Sequence, residues 1–152
     1  MCVTAREQEG NAIGATDELV DALAQTAFVT MGALTRLASD NDLSLTQLRV
    51  LAILRDRRLR MTDLVAYLGL EKSTLTGLVA RAEARGLVVR VANPDDRRVV
   101  DVTLTDEGHV MAARLTKDLA GYLDPLVSSL KNGEQRALRE LLVTALRTTP
   151  TA

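Results

Sequence analysis

The chain has 152 residues, of which 47% are hydrophobic and only 2% aromatic, with a formal net charge of −1. That is the size of one domain, or one domain with a dimerisation element, around an aliphatic core. The single cysteine, Cys2, excludes a disulfide framework or cysteine-based metal cluster, no apolar run approaches the roughly 18–20 residues of a membrane span, and the absence of an apolar leader in residues 1–14 points to a cytoplasmic protein.

Residues 1–15 lack apolar periodicity and are expected as a flexible tail. A helix is expected over 16–40, where Val20, Leu23, Ala27, Met31, Leu34 and Ala38 recur at three- and four-residue steps. Ser44 and Gln47 form a capping box for a second helix reaching about Leu54. Arg55 to Arg60 reads as a polar connection. Thr62 is the expected N-cap of a short helix, Asp63 to Leu68, which Gly69 closes. A further helix runs from Lys72 to Arg85, ended by Gly86. Leu87–Val91 and Val99–Leu104 read as two strands, the second alternating Val100, Val102 and Leu104 against Asp101 and Thr103. Thr105 caps a long helix carrying Met111, Leu115, Leu119, Tyr122, Leu126 and Leu130, with Pro125 expected to bend it. A last helix carries Leu138, Leu141, Leu142, Ala145 and Leu146.

This order predicts a mainly α fold with a small β-hairpin wing. A winged helix-turn-helix lobe covers 44–104, flanked by long helices over 16–40 and 105–148. The apolar stripes of those terminal helices exceed what a small core can cover, and a second copy of the chain is the simplest partner.

Centring the buried side of the Lys72–Arg85 helix on Leu75 puts Leu78, Val79 and Ala82 with it. The opposite side holds Ser73, Gly77, Ala80 and Ala84, flanked by Thr74, Thr76 and Arg81. A merely solvated face usually carries Glu and Lys. Small residues instead allow close approach to a major groove about 12 Å wide. Ser73, Thr74 and Thr76 can bond phosphates or base edges, and Arg81 can reach a guanine or a phosphate. Gly77 costs about 1 kcal/mol within a helix; it serves either that approach or close packing of another helix of the same protein.

Between the two strands, Asn93-Pro94-Asp95-Asp96 is a turn sequence, followed by Arg97 and Arg98. The tip is either an ordinary solvated turn or a device that holds arginines toward a phosphate backbone or minor groove. Charge favours the second reading. Residues 49–98 carry eleven basic and six acidic side chains, whereas residues 1–48 carry two and seven. Screening limits reach to about 8–10 Å, so the local surplus matters more than the whole-chain charge. Arg85 and Arg90 are either phosphate contacts or solvated ends.

Ser73 to Val79, Arg85 to Val88, Asn93 to Arg98 and Val102 to Gly108 together resemble the MarR family of transcriptional regulators. The resemblance runs over about residues 16–148 in element order, and the motif from Arg85 to Gly108 is its most specific part. It implies a homodimeric DNA-binding regulator, usually a ligand-responsive repressor, acting on a pseudo-palindromic duplex. The helix matching Lys72–Arg85 would enter the major groove. The family's Asp-x-Arg wing motif falls on Asp96 and Arg98, the aspartate orienting an arginine that enters the minor groove. Arg97 is then a phosphate contact. Many relatives respond to small phenolic or aromatic acids, others to peroxide through cysteine. Cys2 lacks nearby tyrosines for the latter. Phe28, Tyr67 and Tyr122 either fill the core or line a pocket, with Phe28 and Tyr67 the ligand candidates.

Two other classes compete. A winged helix can serve protein–protein contact without binding DNA, but the small, hydroxylic helix face and the basic middle argue against it. An enzyme is disfavoured because no nucleophile–base pair, phosphate loop or metal motif is visible, and His109, the single histidine, is expected as a surface or interface residue. No cofactor is expected. The operator, the regulated genes and the effector are not written in the chain.

Overall fold

The computed structural model describes residues 4–148, with side-chain surroundings from residue 14 onward. The elements run α1 (Thr4–Asp40), α2 (Leu45–Leu54), β1 (Leu59–Arg60), α3 (Met61–Leu68), α4 (Lys72–Ala84), β2 (Val88–Ala92), β3 (Val100–Leu104), α5 (Asp106–Val127) and α6 (Asn132–Thr148). The fold is mainly helical with a small antiparallel sheet, as expected. None of the described helices is long and apolar enough to cross a membrane.

Local chemistry explains most boundaries. Ser44 accepts a hydrogen bond from the Gln47 amide at 3.1 Å, and Gln47 Oε1 accepts one from the Ser44 amide at 2.9 Å, which completes the capping box. Gly86, between α4 and β2, has φ +72°, a left-handed conformation that an L side chain rarely adopts. Thr105 caps α5 by accepting from the Gly108 amide at 3.0 Å and donates to the Gly86 carbonyl at 2.5 Å. Gly108 is required sterically: a Cβ there would collide with the Leu87 carbonyl oxygen. The Leu104-Thr105-Asp106-Glu107-Gly108 run is thus the joint that seats α5 on the start of β2.

Three features differ from expectation. α1 begins at Thr4, not near Thr16. The later onset rested on apolar periodicity, which reports burial, whereas a helix can run on through good formers such as Ala5, Glu7 and Gln8. Of the stretch expected as a tail, residues 1–3, including Cys2, lie outside the described residues. Thr62 does not cap α3; the N-cap position is the extended Arg60, without a side-chain cap bond. Its place is taken because Leu59 and Arg60 form β1, paired with Val102 and Asp101 of β3, and the chain passes directly from strand to helix. The wing is therefore the outer part of a three-stranded sheet in the order β1-β3-β2.

The core is aliphatic. Leu37, Leu51, Leu54, Leu64, Leu75, Val79, Val88 and Val102 are its largest fully buried side chains, each contributing about 1.5–3 kcal/mol by leaving water. They join the end of α1 to the central lobe and sheet. Tyr122 of α5 packs on the edge of this cluster. Its hydroxyl donates to Asp40 at 2.6 Å, and Arg36 lies 5.8 Å above its ring. Away from this junction the terminal helices are bare: α6 buries no side chain, and α1 exposes Leu19, Val20 and Leu23.

Candidate nucleic-acid interface

Leu64 and Leu68 of α3 and Leu75, Leu78, Val79 and Ala82 of α4 turn into the core. This burial fixes which side of α4 faces out. Ser73, Thr74, Thr76, Ala80, Arg81 and Ala84 are exposed and Gly77 is half-buried, so the small face forms a continuous outward surface. Thr76 donates its hydroxyl proton to the Lys72 carbonyl at 2.8 Å, leaving its oxygen free to accept. A Cβ on Gly77 would meet only the Arg81 Nη1 atom, at 3.6 Å. Among the described residues no other helix packs there, which removes the packing explanation for this glycine within one chain.

The strands dock on α4 through Arg90 of β2. Its Nη2 donates to the Thr76 carbonyl at 3.4 Å, and its Nε lies 3.5 Å from Glu83 Oε2. That Nε is buried and makes no hydrogen bond, so the contact with Glu83 is an ion pair with poor hydrogen-bond geometry. Arg85 donates to the Asp42 and Asn41 carbonyls at 2.7 and 3.2 Å, tying the end of α4 to the turn after α1. Both arginines therefore have intramolecular work, where the sequence left a phosphate role open.

The turn at the wing tip is built on Asn93. Its Oδ1 accepts from the Asp95 and Asp96 amides at 2.9 and 3.1 Å, and its own backbone amide donates to the Val99 carbonyl at 2.9 Å. Asp96 Oδ1 accepts from the Arg98 backbone amide at 3.0 Å. The carboxylate thus holds Arg98 by its backbone, so the orienting contact that the motif implied for Asp96 is made to the main chain rather than to the guanidinium. The reason is proximity: an aspartate in a tight turn finds the amide two residues on before it finds a long side chain.

The ion pairs among the described residues are Arg55–Asp56, Arg58–Asp101 and Arg90–Glu83. The guanidinium groups of Arg81, Arg97 and Arg98 stand outside them, on exposed side chains. The basic surplus of the middle third is therefore divided between internal struts and outward cations on α4 and the wing. Asp101, read from alternation as an outward strand position, is instead buried at 3% exposure, while Val100 is 43% exposed. The buried carboxylate is satisfied by Arg58 Nε at 2.8 Å and by Asn93 Nδ2 at 3.0 Å. The signal that could have found it is the unusual pairing of Asn93 with an aspartate inside an apolar strand.

The remaining candidates separate. Phe28 is 78% exposed on α1, so it fills no core within this chain. Tyr67 is partly exposed; Arg57 lies 5.8 Å over its ring and donates to its hydroxyl at 3.2 Å, and Arg49 donates to its carbonyl at 3.3 Å. Neither aromatic lines the apolar groove between α1, α2 and α3, which is walled by Met31, Leu34, Leu45, Leu48, Leu68 and Leu70, with Thr46 and Arg49 as polar groups. His109 is exposed in the first turn of α5, and among the described residues no cluster of His, Cys, Asp and Glu could hold a metal ion.

Residues 41–99 match the model of the MarR family. The HTH-type transcriptional regulator PecS of Dickeya dadantii is 29% identical over 128 residues, which cover 82% of this chain and 77% of PecS. The HTH-type transcriptional repressor NicR of Pseudomonas putida is 31% identical over 106 residues, 69% of this chain and 67% of NicR. The crystal structure of wild-type MarR from E. coli, in its apo form, superposes with a TM-score of 0.67 at 25% identity, covering 86% of this chain and 96% of that one.

Proposed function

The chain belongs to the MarR family of DNA-binding transcriptional regulators, and from that premise we propose that it is a homodimeric repressor of a pseudo-palindromic operator, released by a small-molecule effector. The observation that carries the DNA part is the outward face of α4, small and hydroxylic, beside a wing whose arginines stand outside the ion pairs of the described residues. Ser73, Thr74, Thr76, Gly77 and Arg81 would lie in the major groove, where the missing Cβ of Gly77 permits close approach. Arg98 would enter the minor groove, its backbone set by Asp96, and Arg97 would contact phosphate.

The domain roles follow from exposure. The lobe over 44–104 buries its apolar side in a core shared with the end of α1 and the start of α5, whereas farther along α1, α5 and α6 leave Leu23, Leu126, Leu138 and Leu141 facing out. Two copies covering these stripes would place two α4 helices on successive major grooves, about 34–36 Å apart. For the effector, the groove between α1, α2 and α3 offers apolar walls and Arg49, which suits a compact organic acid. Tyr67 is tied to that site through Arg49, and Phe28 stands on α1 where a second chain can meet it. The repressor role is supported by the relatives that carry that description.

Selection of bound duplexes from a random pool by the full chain tests the reading. The expected product is a two-fold-related site whose binding weakens as salt rises. Arg98→Ala should lower affinity for it by about tenfold, as for one lost base-edge contact. Failure to enrich any duplex over the input pool would refute DNA recognition and favour a winged helix used for protein contact.

A further inference from the structure

The wing tip and the loop before β1 are joined by an unbroken series of hydrogen bonds. Arg58, just before β1, donates from Nε to Asp101 Oδ2 at 2.8 Å and from Nη2 to the Ala92 carbonyl at 2.7 Å. It thereby grips both wing strands, the carboxylate of β3 and the last carbonyl of β2. Asp101 passes the constraint to Asn93, whose Nδ2 is 3.0 Å from each carboxylate oxygen. Asn93 Oδ1 holds the Asp95 and Asp96 amides, and Asp96 holds the Arg98 amide. We propose that Arg58, through the buried Asp101–Asn93 pair, is a positioning residue for the DNA contact made by Arg98.

Three features favour this over a purely structural strut. First, Asp101 and Asn93 are the buried polar residues of the described chain, at 3% and 8% exposure. An apolar pair would carry no desolvation cost there, whereas a buried carboxylate and carboxamide must be hydrogen-bonded merely to offset theirs. What the polar pair adds is direction: the carboxylate must face two donors at fixed angles, so the turn has one orientation rather than several. Second, the series is continuous to the tip: Asp101 accepts from both Arg58 and Asn93, Asn93 Oδ1 accepts from the Asp95 and Asp96 amides, and Asp96 Oδ1 accepts from the Arg98 amide. Third, the side chain of Arg58 is 41% exposed, so its charge is not itself committed to the core, and its two bonds both end on wing strands. The arginine fork matters here, since a lysine ammonium cannot bridge the two acceptors in the same fixed geometry.

The inference rests on the reading of Arg98 as a DNA contact, and a double-mutant cycle tests it. The probe is the duplex enriched from the random pool by the unaltered full-length chain, with melting temperature recorded for each variant. Arg58→Ala should fold and lose about tenfold in affinity. In an Arg98→Ala background the same change should have little further effect, because the group it positions is gone. Arg58→Lys should lie between the two in the unaltered background and again be silent in the Arg98→Ala background. Should Arg58→Ala fail to fold, Arg58→Lys carries the cycle alone. An unchanged affinity in the folded single variant, or losses that add in full to that of Arg98→Ala, would overturn the proposal. Absence of any enriched duplex would instead sink the DNA reading on which it rests.

Discussion

The central lobe and the terminal helices use the same aliphatic vocabulary to opposite effect. Leu64, Leu75 and Val79 in the lobe have no exposed surface at all, whereas Leu141 and Leu146 of α6 are 69% and 71% exposed. Residue type is constant; the difference is whether the chain supplies a facing element. In the lobe, α2, α3, α4 and the sheet converge on one another. In α6 the stripe is left largely open: among the described residues α1 and the end of α5 meet only its edge, at a groove walled by Leu138 and Leu142. A lobe whose inner faces are covered, by its own elements and by the end of α1 and start of α5, can devote its outer face to a ligand, and a helix with an uncovered stripe calls for another surface.

The comparison can be broken most severely at α6. Replacing Leu141 and Leu146 together by Asp should leave the lobe folded but give a monomer. Its affinity for a two-fold duplex should fall by about a hundredfold or more as the linked second site is lost. Sedimentation and duplex titration on the same samples would check this, and a variant that stays dimeric would show that the stripe is not the interface. Next in size is Gly108→Ala, which attacks the joint between the two regions. Its Cβ has no room beside the Leu87 carbonyl, and displacing that backbone should cost about 1–3 kcal/mol in denaturant unfolding.

Gly77→Ala sharpens the contrast from the other direction. Within the chain the added methyl meets only the Arg81 guanidinium at an ordinary distance. It should raise stability by about 0.5–1 kcal/mol while weakening duplex binding. A loss of stability would mean that Gly77 serves the fold. The smallest effect lies where α1 and α5 meet. The hydrogen bond to Asp40, with burial and the Asp40 charge, raises the Tyr122 hydroxyl above its ordinary range. A raised folded-state value means that this contact stabilises fully below about pH 10, the ordinary tyrosine value, and is lost as pH climbs through the raised one. In a Tyr67→Phe background, ultraviolet titration should show the Tyr122 midpoint falling when Asp40 becomes Ala. An unmoved midpoint would discount the contact.

Much of the lobe was legible because its signals are local. The Ser44–Gln47 box, the Gly86 stop, the Thr105 cap and the buried side of α4 each depend on residues within one turn or turn sequence, and each stands where the spacing placed it. The features that were missed depend on distant partners. β1 is two residues long and exists only because β3 lies beside it. Thr62 gave up its cap to that pairing. Asp101 reversed its expected facing because Arg58 and Asn93 arrive from elsewhere to satisfy a buried carboxylate. Phe28, assigned to the core or a pocket by its type, is left in the open because none of the described elements covers it.

The sequence by itself determined which helices form, where most begin and end, and which side of α4 is small and polar, since periodicity and capping are written in neighbouring residues. Only the tertiary structure decided which arginines remain available. Arg58, Arg85 and Arg90 looked no different in the chain from Arg81, Arg97 and Arg98; the fold brings carboxylates or carbonyls to the first three and leaves the others outward. A cation's freedom depends on what the whole chain places within a few ångströms of it, and that distance is set by packing rather than by spacing.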